Sequence, residues 1–181
     1  EAPPPLPAST STATGLLLVT CVKEKAAGPA PAKDLYVSAL FRKQREYAEA
    51  SGLPWFILSA EHGLVAPDEW LAPYERYLPD TPRTYRSAWG RWVVERLELL
   101  AGPLSGRTIE IHASAAYVEE LRAPLSDKGA AVVEPLSGLP LGSRLAWYAQ
   151  GRHTAPAAAA EFRAGLLDES NAVPPAEFLA A

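Results

Sequence analysis

Four short polar stretches stand where apolar runs stop or helices begin, and they hold most of the residues of this chain that could do chemistry. In WFILSAEHGLV the apolar run ends at Ser59, Glu61, His62 and Gly63, although the chain has only three histidines. An imidazole so placed can act as a general acid or base, or hydrogen-bond to a nucleobase or phosphate. Gly63 permits a sharp turn or a close ligand approach. A histidine that only capped the loop would not need a serine, a carboxylate and a glycine beside it. His62, Glu61 and Ser59 therefore form the candidate catalytic group, with Glu61 as orienter of the imidazole or as a second carboxylate.

The second stretch is Cys21-Val22-Lys23-Glu24-Lys25, followed by Tyr36 and Ser38 where a helix begins. Lysines near a helix N-terminus suit an anion, because free backbone N–H groups and the helix dipole favour negative charge there. Lys23 and Lys25 are candidate phosphate contacts, with a solvated lysine loop as the alternative. The glycine spacing of a Walker loop is missing. Cys21 is a nucleophile if a neighbouring cation lowers its pKa, and otherwise a small buried hydrophobe.

His112 and Ser114 lie in HASAAY, where Ser114 also serves as a natural N-cap. In PLSGLPLGSRLAWY, Gly138 and Gly142 bracket a turn into a helix that starts with Ser143 and Arg144. An anion could rest on that N-terminus, or the glycines serve helix entry alone. Trp70, Tyr74 and Tyr77 in EWLAPYERYL can line a pocket or stack on a base. Trp89 and Trp92 fit the core face of their helix. Arg76, Arg83, Arg86 and Arg91 are interleaved with acids and read as a solvated face. With no HxH, HExxH or carboxylate-histidine pattern, no metal and no cofactor are expected.

The elements that must position these residues follow from periodicity. GLLLVT, Gly15–Thr20, is a short apolar run bounded by polar segments, as expected of a strand buried on both faces. The spacing predicts a helix over 35–50, ended by Gly52-Leu53-Pro54, and then a strand over Trp55–Ser59. Residues 60–82 are too polar and proline-punctuated for a regular element, and a loop of that length is usually functional or partly helical. An amphipathic helix is predicted over 85–101, a strand over Thr108–His112, a helix over 115–125, a strand over 130–133 and a closing helix in LGSRLAWYAQ, ended by Gly151. This alternation predicts an α/β three-layer sandwich around a mostly parallel, four-stranded, Rossmann-like sheet. Ligands of such sheets sit outside the carboxyl ends of the strands, where the polar stretches converge.

Composition bounds the rest. With 181 residues and 48% hydrophobic content, one core with appended tails is expected. The tails are a linker rich in Pro, Ser, Thr and Ala over 1–14 and a helical tail or linker to a further domain over 152–181, around a domain over 15–151. The absence of methionine predicts a chain trimmed or cut from a longer protein. A net charge of −4 argues against coating nucleic acid by bulk positive charge. The single cysteine excludes an internal disulfide and suits a reducing cytoplasm. No run approaches a membrane span, so no membrane partner and a cytoplasmic location are expected.

The segment ILSAEHGLVAPDEWLAPYERYL resembles the ILSG-x-YGLL-RP-x-D-x-I-x-PY segment of the peroxide-stress YaaA proteins. The arrangement of C-x-K, A-x-x-LY-x-S-x-x-F, ILSAEHGLV-x-P and PL-x-GL-x-x-G-x-RL-x-W is more similar to a YaaA-like bacterial domain family of uncharacterised function. These matches cover residues 16 to 148. The resemblance implies a nucleic-acid-linked role, tied to DNA damage or oxidative stress. It also implies that Lys23, Tyr36, Ser38, Ser59, His62, Gly63, Tyr74, Gly138, Gly142 and Arg144 surround one pocket.

Two functions fit this reading. One is a nucleotide- or nucleobase-binding domain, a hydrolase of an N-glycosidic or phosphate-bearing substrate in its enzymatic form, with Lys23, Lys25 and Arg144 on the anion and Tyr36 or Trp70 on the base. The other is a non-enzymatic module that binds single-stranded or damaged nucleic acid and is tethered to a catalytic partner domain.

Overall fold

The computed structural model describes residues 15–150; the two predicted tails lie outside the described residues. Four parallel strands, β1 (Gly15–Thr20), β3 (Trp55–Ser59), β6 (Thr108–His112) and β7 (Ala131–Val133), form the sheet that periodicity predicts. A fifth strand, β4 (Gly63–Val65), corrects the expected count of four by adding an antiparallel edge in the order β4-β3-β1-β6-β7. It was hidden because three residues are too few to show alternation; its register, Ser59↔Gly63 and Ile57↔Val65, is set by the tight turn at Ala60, Glu61 and His62. A separate two-stranded ribbon pairs β2 (Ala30–Pro31) with β5 (Trp70–Leu71). The 60–82 segment is thus two short strands and a 3₁₀ helix at Leu78–Asp80, not a plain loop.

The helix expected over 35–50 is two helices, α1 (Ala32–Leu35) and α2 (Ala39–Ser51). The break falls at Ser38, an extended residue whose hydroxyl accepts from the Phe41 amide and starts a new helix. Gly52 ends α2 in the left-handed conformation, with φ of 71°. The remaining helices are α3 (Arg83–Ala101), α4 (Ala115–Asp127) and α5 (Leu141–Gln150).

Alternation along β1 divides the core. Leu16 and Leu18 face α3 and α4, joined by Trp89, Val93, Leu97 and Leu121. Leu17 and Val19 face the other way, towards Phe41 and Ala48 of α2. Helix α5 packs on α2, so the sheet lies between two helical layers, a Rossmann-like α/β sandwich. The chain leaves β1 towards β3 on one side, then returns past β1 to β6 and on to β7. The connections change direction between β1 and β6. That is the topological switch point, where open α/β sheets hold ligands at the carboxyl ends of their strands.

No helix among the described residues is long and apolar enough to cross a membrane.

Candidate functional site

Burial on both faces forces β1 and β3 to deliver their first polar residues only at their ends. Ser59, fully buried at the end of β3, donates to the Tyr74 hydroxyl at 2.8 Å and accepts from the His62 amide at 3.0 Å. The Tyr74 and Tyr36 hydroxyls are 2.6 Å apart. Burial, first of all, pushes both phenols well above their ordinary range, so they stay neutral and pass hydrogen bonds along the chain of hydroxyls. Two further bonds fix the turn that carries His62: the Trp89 indole N–H donates to Ser59 O at 2.8 Å and the Tyr85 hydroxyl to Ala60 O at 2.6 Å.

Cys21 follows β1 directly, and its sulfur lies 3.7 Å from the Tyr117 hydroxyl of α4. That contact spans the switch point. Lys25 donates to the carbonyls of Val22 and Lys23 at 3.1 and 3.2 Å, and its ammonium stands 4.3 Å from the centre of the Tyr74 ring. Burial pulls the Lys25 pKa below its ordinary value, against the opposing pull of Cys21 and Glu75. Gln44 of α2, 1% exposed, accepts from the Thr20 amide at 3.1 Å. Its own amide nitrogen, buried beside the end of the central strand, has no partner among the described residues.

His62 itself is exposed, with its ring edge-on to Tyr74 at 5.3 Å between centroids. On its other side it lines a cleft of about 390 Å³ with Glu61, Glu69, Trp92 and Arg96, over an apolar floor from β4 and β5. The turn needs a glycine: Gly63 has φ of 75°, and a Cβ there would lie 2.2 Å from Cδ1 of Trp92. Trp92 is accordingly no core residue. It is 54% exposed, lies against Gly63 at the sheet edge and donates to His62 O at 3.3 Å, which corrects its assignment from helical spacing. Glu61 does not orient the imidazole as expected. Its carboxylate pairs with Arg76 at 2.6 Å. Glu69 pairs with Arg96 in the same manner and also accepts from the Ala66 amide.

The other expected residues divide. Tyr36, Tyr74, Ser59 and Lys25 join the cluster around His62, and Gly63 supports it. Ser38 is spent on the α2 cap, and Lys23 is exposed, engaged there through its carbonyl. Trp70 is 70% exposed in the ribbon. Ser114 holds the N-cap position of α4 but makes no side-chain cap bond. Gly138 and Gly142 are exposed at the entry to α5, with no atom of the described residues within 4 Å of where a Cβ would be. Arg144 donates to Ala113 O and Leu139 O at 3.1 and 3.3 Å, so its guanidinium ties α5 to the end of β6 instead of facing an open anion site.

His112 differs most from expectation. It is fully buried, on the face that alternation shares with Glu110. Its Nδ1 is 2.5 Å from the Tyr148 hydroxyl and its Nε2 is 3.3 Å from Glu110, which also accepts from the Tyr47 hydroxyl at 3.1 Å. Tyr47, Trp147 and Tyr148 enclose the ring. The sequence placed His112 at the strand end but gave no sign that α5 covers it. Glu110, Tyr47, Tyr148, Tyr117 and Gln44 were not foreseen as site residues; the Glu110/His112 alternation in TIEIH was the one available signal. Among the described residues, no group of three or more His, Cys, Asp or Glu side chains is placed to hold a metal ion.

Comparison with curated proteins yields no match, and comparison with solved structures yields none either. Residues 16–150, which include every side chain of the site, match a family of unknown function, DUF6884, and the chain belongs to that family.

Proposed function

We propose that this domain binds a nucleobase or nucleotide at the carboxyl edge of its sheet, with His62 as the group that hydrogen-bonds to the ligand or protonates it. The observation that carries this reading is the position of His62. It is the exposed end of an otherwise internal chain of hydroxyls, Tyr36, Tyr74 and Ser59, and it opens on a cleft. An imidazole held by its backbone while its ring stays accessible is suited to hydrogen-bonding a ligand or exchanging a proton with it. The Gln44 amide, unpartnered among the described residues, and the Lys25 charge lie at the adjoining switch point, where such sheets hold ligands. The resemblance to the peroxide-stress YaaA proteins supports a nucleic-acid-linked ligand.

In the hydrolytic form, water adds to the anomeric carbon of a nucleoside or nucleotide as its bond to the base nitrogen breaks; protonated His62 gives its proton to the departing base, and the added water then returns a proton to His62. Glu61, oriented by Arg76, is the carboxylate available to the developing positive charge on the sugar. Calorimetric titration and turnover assays of nucleosides and nucleotides against wild type and His62→Ala test both forms. Loss of binding or turnover in the variant is expected; equal binding and equal turnover in both proteins would overturn the assignment of His62.

One observation favours a second reading, a module for single-stranded nucleic acid. Trp70, Tyr77 and Trp92 are 70%, 55% and 54% exposed, and exposed rings can stack on successive bases. Oligonucleotide affinity that falls steeply with salt would support it, and flat salt dependence would favour the small-molecule cleft.

A further inference from the structure

The cleft beside His62 has a composition that selects among ligands. Its volume of about 390 Å³ falls within the roughly 300–1,000 Å³ usual for small-molecule sites. Its wall carries the half-exposed indole of Trp92, a platform on which a planar ring can stack. Around that platform stand Glu61, Glu69, Arg96 and His62. Each carboxylate has one oxygen committed to an arginine, Oε2 of Glu61 to Arg76 and Oε1 of Glu69 to Arg96, which fixes its orientation and leaves its second oxygen as an acceptor. Each carboxylate is balanced by its own arginine, so the lining offers a phosphate no excess positive charge, while the two uncommitted carboxylate oxygens attract N–H donors. Arg96 commits one terminal nitrogen to Glu69 and has the other for a ring carbonyl or ring nitrogen.

Resting on the nucleobase reading above, we infer that this cleft takes an amino-bearing nucleobase, stacked on Trp92 with its exocyclic amino group donating to Glu61 or Glu69, and leaves any phosphate outside. The cations nearest the switch point agree. Lys25 and Arg144 are committed to backbone carbonyls, so no preorganised phosphate cradle adjoins the base. A keto base that presents a carbonyl where the amino group belongs meets a carboxylate oxygen instead, and two acceptors face each other. The specificity therefore follows the amino group, not purine against pyrimidine.

Titration calorimetry with matched pairs of nucleosides tests this: adenosine against inosine, cytidine against uridine, and each aminated nucleoside against its 5′-monophosphate. The expected result is at least a tenfold preference for the aminated member of each pair and no gain from the phosphate. Glu61→Gln and Glu69→Gln, checked by thermal melting to be folded, should reduce that preference; Trp92→Phe should weaken every nucleoside alike. Equal affinity for aminated and keto members, with binding still lost in His62→Ala, would overturn the inference and leave the nucleobase reading standing. Absence of nucleoside binding at millimolar concentration in the wild type would overturn both.

Discussion

Two polar clusters lie on the same face of the sheet, at the ends of β3 and β6, and they are built to opposite ends. The Glu110–His112–Tyr148 group is closed. Its histidine and glutamate side chains are 0% and 1% exposed, Tyr47 and Tyr148 supply hydroxyls, and none of its buried polar atoms lacks a partner. The Ser59–Tyr74–Tyr36 group is equally bonded inside but ends at an exposed His62 on a cleft. Both contain a histidine at or just past a strand end. The difference teaches that an imidazole with both nitrogens matched to buried partners is a fastener, whereas one held through its backbone with its ring accessible is available for a ligand.

The largest effect that separates the two should come from His112→Ala. It leaves a cavity, strands the Tyr148 hydroxyl and takes one of the partners of the buried Glu110 carboxylate, which keeps Tyr47, at a cost of about 3–5 kcal/mol in chemical denaturation. His62→Ala, which removes an exposed ring, should change stability by less than about 0.5 kcal/mol. A large stability loss in His62→Ala, or none in His112→Ala, would break the comparison.

Next in size is Gly63→Ala. A left-handed backbone and the contact with Trp92 together should cost roughly 1–3 kcal/mol, read as a fall in denaturation midpoint. Adding Trp92→Ala should restore only the steric part, because the strained φ remains. Full restoration by the second change would show that backbone conformation contributes nothing.

The closed and open clusters share one pH response. Tyr36, Tyr117 and Tyr148 are 2%, 4% and 4% exposed, and burial raises the pKa of each above its ordinary value. The unfolded chain then loses phenolic protons at lower pH than the folded one does. Stability from these groups is fully present below about pH 10 and is lost as the pH rises above it, by about 1 kcal/mol per buried phenol per pH unit. Lys25, with its lowered pKa, contributes in the opposite direction but is only partly buried. Denaturation midpoints between pH 8 and 11.5 should show the decline, and Tyr148→Phe should make it shallower. A flat profile would contradict the burial of these hydroxyls.

The smallest effect is Ser38→Ala, which removes the α2 cap at about 1 kcal/mol and should leave ligand binding unchanged. A large loss of binding would return Ser38 to the site.

How far the sequence carried can be judged element by element. The parallel strands were legible because GLLLVT and WFILS are apolar runs that only a doubly covered sheet accommodates. The edge strand at Gly63–Val65 was not, since its pairing with β3 is a matter of a tight turn and not of pattern. Trp92 followed helical spacing to the core, but the layer beneath it is the sheet edge, where only Gly63 makes room. Ser59 and His62 were placed correctly because the end of a buried strand is visible as a change in polarity. The fate of His112 depended on α5, an element far along the chain, and strand alternation alone could say which face it shared with Glu110 but not what covered that face. Lys25 and Arg144 looked like anion ligands because a sequence shows charge and hides the carbonyls that engage it.

The most direct test of the account is a two-dimensional NMR titration of the tryptophan indole N–H signals with guanosine, assigned through Trp92→Phe and Trp147→Phe. Trp92 reports the open cleft and Trp147 the closed cluster around His112. The account predicts that the Trp92 signal moves on ligand addition, that the Trp147 signal stays in place, and that His62→Ala abolishes the movement. A shift of Trp147 with Trp92 unmoved would contradict it.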